Sequence, residues 1–374
     1  MNTKTYLLFL LTSFLGLSAQ NNFEYWQQHV DYTMDVTMDV SSSAYNGTQQ
    51  LVYSNNSPED LNVVFYHLYY NAFQPGSEMD VRSITISDPD SRVDDRISRL
   101  KKEDYGFMNV LSLNQNNVPV DFSVAGTILE VQLNAPIKSG ESAVFDMIFE
   151  GQVPPVIRRA GKNSEENVAL SMAQWYPKMA EYDFEGWHAD PYISREFHGV
   201  WGDFDIKLTI DKNYTVGGTG YLQNPDEVGH GYGQQTNNEQ TDVLTWHFIA
   251  PNVHDFTWAA DPGFTHDTLQ VPNGPLLHFL YKTSLDEKYK KNWKALQPMA
   301  SEIIQYYSNT VGKYPYNQYS VIQGGDGGME YGMCTLITGE RTFDGLVGVT
   351  AHEIGHTWFQ FLLASNESRH PWLD

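Results

Sequence analysis

The sequence predicts an α+β protein, with a large antiparallel β domain first and a domain of mixed helices and strands second. Three observations carry this expectation. Short runs rich in Val, Ile, Tyr and Phe recur from Tyr32 to Ala260, each closed by a cluster of Gly, Pro, Asn or Asp. After Pro262 the character changes and helical patterns enter. No segment repeats at a fixed period and none is of low complexity. A chain of 374 residues also exceeds one ordinary core, so two or three domains are expected.

The elements follow in order. Lys4 precedes an apolar run from Tyr6 to Leu17, and small residues Ser18 and Ala19 follow it. This is the layout of a secretory signal peptide, residues 1–19, and it implies export to the periplasm or the medium. The run is short for a membrane span, and no Cys near its end offers a lipid anchor. The β domain, residues 20–262, has strand signals at 32–40, 48–53, 61–70, 128–133, 143–149, 204–210 and 243–249. Turn punctuation separates them, as at Asn55-Asn56-Ser57-Pro58 and Gln223-Asn224-Pro225-Asp226. A join is expected between Asp261 and Pro275. The second domain, residues 263–374, opens with Ser284-Leu285-Asp286-Glu287, read as a capping box. Pro298 predicts a kink or two abutting helices before Gly312. A strand at 319–323, a glycine-rich turn, a strand ending at Ile337 and a helix from Asp344 to Ala364 complete the pattern.

Composition narrows the function. Hydrophobic residues make up 41% and charged residues 18%, which is globular. Lys and Arg number 23 against 46 Asp and Glu, a formal charge of −23. Such a surface repels nucleic acid and anionic membranes. The acidity is spread out, and attraction of cationic peptides stays open. Cys334 is the one cysteine, so no intrachain disulfide forms. It lies in an apolar stretch and reads as a buried, inert thiol.

The chemistry concentrates in His352-Glu353-Ile354-Gly355-His356. On a helix, His352 and His356 stand one turn apart on one face, where both imidazoles reach one zinc ion at about 2.0–2.1 Å. Glu353 lies beside that face and can take a proton from a water that zinc acidifies to near neutrality. Burying two histidines and a glutamate in an apolar helix is costly unless they are paired or ligated. The motif therefore reads as a catalytic zinc site of a hydrolase. A third protein ligand is needed. Glu367 follows His356 too closely to leave the helix and return, and Asp374 is the last residue of the sequence.

With Trp372-Leu373-Asp374 behind it, the motif resembles that of the gluzincin aminopeptidases, the group of aminopeptidase N and leukotriene hydrolase. The resemblance implies a thermolysin-like α+β catalytic domain. It implies a third ligand in a Trp-Leu-x-Glu-Gly segment, a glutamate that would directly follow Asp374. Gly327-Gly328-Met329-Glu330-Tyr331 is similar to the family's Gly-x-Met-Glu-Asn, with Tyr in place of Asn. By that resemblance Glu330 binds the free α-amino group of a peptide, with Gly327, Gly328 and Met329 lining the substrate. A fixed carboxylate accepts charge-assisted hydrogen bonds from an ammonium group on its own chemistry. The glycines would let a substrate backbone approach. Gln174 is similar to a residue that helps hold the amino terminus, although the family's Pro-Cys-x-Asp-Glu-Pro run is absent. The expectation is a zinc aminopeptidase acting on peptides with a free N-terminus. The sequence is expected to be a fragment, inactive alone, with the third ligand and an oxyanion-stabilising tyrosine beyond residue 374. An endopeptidase with the same zinc chemistry and a noncatalytic binding module are the alternatives.

Overall fold

The computed structural model describes residues 25–87, 90–234 and 241–373. The expected leader, 1–19, and Asp374 lie outside them. Six long strands dominate the first part: β1 (His29–Asp39), β2 (Ala44–Ser54), β3 (Phe107–Gln115), β4 (Ser142–Gln152), β5 (Trp201–Asp211) and β6 (Val243–Val253). They form one sheet in the lateral order β6, β5, β1, β2, β4, β3, with short strands Tyr221–Leu222 and Val118–Pro119 at the two edges. Side chains alternate. Val30, Tyr32, Met34, Val36 and Met38 of β1 are buried, and the residues between them are exposed. A one-residue slip would expose all five, so the apolar pattern fixes the register. Most pairings are antiparallel, but β1 and β5 run parallel, with Val30 opposite Gly202.

Two four-stranded sheets complete this part. One joins Lys178–Met179, Leu61–His67, Ile128–Ile137 and Asp121–Ala125. The other joins Thr215–Gly218, Trp258–Asp261, Leu170–Met172 and Gly161–Lys162.

A five-stranded sheet follows, built from β7 (Phe264–Gln270), β8 (Leu276–Lys282), β9 (Gln318–Gln323), β10 (Gly328–Tyr331) and β11 (Cys334–Ile337). Its order is β7, β8, β9, β11, β10. β7 occupies the stretch expected to be a join. It is an edge strand, mostly half-exposed, so its apolar signal is weak. Two helices accompany the sheet: α1 (Glu287–Thr310) and α2 (Phe343–Gly355). α1 starts from Asp286 without a side-chain cap, so the expected Ser284 capping box does not form. Pro298 does not divide α1. It sits on the exposed side, where water can hydrate the carbonyl its missing N–H leaves open. α2 ends at Gly355 instead of running to Ala364. Phe359 (φ −91°, ψ 112°) and Gln360 (φ 98°, ψ −65°) break the path.

The five-stranded sheet lies between two cores. Leu280, Ile322, Met329, Tyr331, Cys334 and Leu336 join the core of the β domain, which therefore continues across residue 262. Leu277, Phe279, Tyr281, Val321 and Ile337 face Trp293, Leu296 and Ile304 of α1 and Leu346 and Ile354 of α2. The edge strand β10 thus lies beside α2 and sets the candidate site. No helix among the described residues is long and apolar enough to cross a membrane.

Candidate active site

Helix α2 is started by Thr342, whose hydroxyl accepts the Gly345 N–H, and it ends at the motif. His352 is exposed and His356 buried, yet their rings meet edge to face with Nε2 atoms 3.2 Å apart. Two nitrogens bound to one tetrahedral ion at about 2.0–2.1 Å would stand about 3.3 Å apart. Burial first, then the neighbouring His352, pushes the His356 imidazole down to about 4, so it is neutral near pH 7. Neutral imidazole is the form that ligates metal. The donor set therefore fits a zinc ion.

Two carboxylates converge on the same place. The ligand atoms of Glu330, Glu353 and His356 lie within 4.8 Å of one another, and all three residues are buried. Glu330 comes from β10 and Glu353 from α2. Gly328 lets them meet: a Cβ there would stand 2.1 Å from Glu353 Oε1 and 2.8 Å from Val349 Cγ2. The space at Gly328, expected to admit a substrate backbone, is thus taken by Glu353. Gly327 has φ +53° and open space around it. Met329 is not on the site's surface. The alternation of β10 turns its side chain into the core, fully enclosed, and its carbonyl accepts the Thr335 hydroxyl at 2.8 Å.

A neighbour escaped the sequence reading. Arg159 Nη1 lies 3.5 Å from Glu330 Oε2 and 3.4 Å from the Gly328 carbonyl. Its Nε donates to Glu196, and its guanidinium lies 5.3 Å from the Phe197 ring centre. Its backbone is left-handed (φ 61°), and its N–H donates to Asp326 at 2.7 Å. Arg158 reaches Glu196 at 3.3 Å and Asp90 at 3.1 Å. Burial pushes the Glu196 carboxyl up, but the two guanidiniums outweigh it and hold it below the ordinary glutamate value. The available signal was the Arg158-Arg159 doublet in a chain with 23 Lys and Arg against 46 Asp and Glu.

Gln174 is buried with φ 49°, and its side-chain amide pairs with the Tyr331 hydroxyl, at 2.9 Å from Nε2 and 3.1 Å from Oε1. It therefore approaches Glu330 through the adjacent residue. Glu367 is enclosed elsewhere. It accepts from Arg195 at 3.0 Å and from the backbone N–H groups of Glu196 and Phe197, both at 3.1 Å. Cys334 is buried, and burial pushes its thiol well above the usual range, as fits an inert group.

No protein-family profile matches this sequence, and no curated protein does. Solved structures do. An M1 zinc metallopeptidase from Deinococcus radiodurans is 15% identical with a TM-score of 0.60, over 93% of this chain and 67% of that one. A mutant M1 zinc metallopeptidase from Deinococcus radiodurans bound to a Tyr-Ser-Ala substrate is 14% identical with a TM-score of 0.54, over 93% of this chain and 68% of that one. A two-domain mutant M1 zinc metallopeptidase bound to L-tryptophan is 14% identical with a TM-score of 0.53, over 90% and 66%. The chain shares their fold and spans about two thirds of their length.

Proposed function

We propose that this chain carries most of the active site of an exported zinc aminopeptidase of the M1, or gluzincin, group, which hydrolyses the N-terminal peptide bond of peptides. One observation supports this above the others: Glu330 and Glu353 gather on His356, with His352 facing it. A lone His-Glu-x-x-His helix reads as a zinc hydrolase. The second carboxylate, delivered by an edge strand, turns that reading toward substrates with a free amine.

The zinc that His352 and His356 would hold supplies Lewis acidity and a water acidified to near neutrality. Glu353 takes the proton of the attacking water and returns it to the leaving amine. Glu330 accepts charge-assisted hydrogen bonds from the substrate's α-ammonium group and so selects terminal residues. Arg159 balances the buried Glu330 carboxylate, which would otherwise carry a large desolvation cost. Gln174 acts through Tyr331 to steady the strand that carries Glu330. Gly327 keeps the rim of the strand open to peptide. Glu367 is committed to Arg195 and two backbone N–H groups, so it is not proposed as the third zinc ligand.

The test is Glu353→Gln in the full-length protein with an aminoacyl-anilide substrate. A loss in kcat on the order of 10²–10⁴-fold is expected from removing a general base; unimpaired turnover overturns the assignment. Glu330→Ala should harm free-amine substrates far more than N-acetylated peptides. Equal loss on both would instead support an endopeptidase.

A further inference from the structure

We propose a second metal site, formed by Asp183, His188 and His198 of the β domain, that takes a divalent transition cation such as Zn²⁺. It shares no residue with the zinc motif. Asp183 lies in a small hairpin pairing Tyr182–Asp183 with Gly186–Trp187, and His188 follows it directly. The hairpin is fixed locally: Asp183 Oδ1 accepts the Glu185 N–H at 2.8 Å, and the His188 N–H donates to the Glu181 carbonyl at 2.9 Å. His198 arrives from the run that leads into β5. The three possible ligand atoms lie within 4.8 Å of one another.

The two imidazole nitrogens carry the inference. His188 Nε2 is 2.8 Å from Asp183 Oδ1, and His198 Nε2 is 3.8 Å from Asp183 Oδ2. The rings meet edge to face with centroids 4.6 Å apart. Both Nε2 atoms are enclosed, yet neither has a hydrogen-bond partner. Buried polar atoms are normally satisfied, so two orphaned nitrogens on one carboxylate call for a reason. Both imidazoles stand within ion-pair reach of Asp183, but two imidazoliums side by side on one carboxylate would repel each other, so ion pairing serves one of them at a time. A cation accounts for both: two neutral imidazole nitrogens and a carboxylate oxygen within 4.8 Å of one another can share one ion. The rings of His352 and His356 likewise meet edge to face, with centroids 4.6 Å apart.

The surroundings suit ligation. Two imidazoles and a carboxylate form a nitrogen and oxygen set that zinc accepts, with a fourth position for water. The side chain of His188 is 4% exposed, while those of His198 and Asp183 are 14% and 28% exposed, which leaves an entry path. His188 Nδ1 faces the Asn366 amide at 3.1 Å. Asn366 lies beyond α2, next to Glu367, so the cation would clamp the 182–198 stretch to the segment behind the zinc helix.

The test uses the full chain carrying His352→Ala and His356→Ala. Zn²⁺ is titrated in competition with a chromophoric chelator, and Co²⁺ is followed by its visible absorption. One equivalent of Zn²⁺ and a rise in thermal midpoint are expected, and adding His188→Ala removes both. Should His188→Ala fail to fold, His198→Gln and Asp183→Asn keep the local shape and decide the matter, each weakening Zn²⁺ at least tenfold. Absence of stoichiometric binding, or unchanged affinity in either mild variant, overturns the proposal.

Discussion

Gly328 carries the tightest steric demand in the candidate site, because only a hydrogen there lets Glu353 close on β10. Gly328→Ala should push Glu353 aside while leaving the sheet intact. Displacing a catalytic group by about 1 Å can cost 10²-fold. The expected result in the full-length protein is therefore a fall in kcat of about that size with little change in melting temperature. Arg159→Gln removes one of the two guanidiniums on the fully buried Glu196 and the guanidinium 3.5 Å from Glu330. A destabilisation of up to about 3 kcal/mol is expected in a denaturant titration, since breaking buried pairs is costly. The same variant should change KM for free-amine peptides more than for blocked ones. His352, Glu353 and His356 were legible in the sequence because a helix gives two ligands one fixed spacing. Arg159 was not, since it meets Glu330 across 171 positions of chain and no local rule links them. Met329 was misplaced for a related reason: a motif names residue types, while strand alternation decides which side chains face the cleft.

At the scale of elements, legibility followed burial on one face. β1, β2, β4, β5 and β6 alternate and were found close to their observed bounds. β7 was read as a join because an edge strand with few buried residues lacks that alternation. The overlong reading of α2 has a different cause. The residues after His356 stay apolar, but the backbone breaks at Gln360, whose φ of 98° strongly favours glycine. Gln360 also keeps a buried side-chain oxygen without a hydrogen bond. Gln360→Gly should relieve both faults and stabilise the protein by about 1 kcal/mol, the scale of one strained non-glycine residue. Calorimetry reads this as a raised melting temperature; a lowered one would show that the side chain's packing outweighs the strain.

For the whole molecule, the order of a β part followed by a mixed part was visible in turn punctuation and hydrophobic period. What no pattern displayed was that one core would run across residue 262, so that β8 to β11 pack on the β domain as well as on their own helices. Acid sensitivity belongs to this scale. Burial is the leading cause that lowers His67 and His278 to about 3 and His254 and His266 to about 4, from an ordinary 6.5. The unfolded chain therefore binds more protons between those values and 6.5. Stability from these residues is complete above pH 6.5 and is lost as the pH falls, through about 4 for His254 and His266 and about 3 for His67 and His278. Each unit of depression is worth about 1.4 kcal/mol. The melting temperature should drop steeply over that window in a pH series, and a flat profile would contradict the burial of these rings.

The parallel pairing of β1 with β5 also governs how the protein can be made. β2 follows β1 across a short turn and can pair with it early, but the other edge of β1 waits for residues 201–211. Loop closure over that distance is slow, and until then the nascent chain presents an open edge of alternating apolar residues. Such an edge invites pairing with other chains. Biosynthesis should accordingly depend on a holdase that covers β1 until β5 arrives, and refolding yield should fall sharply as protein concentration rises.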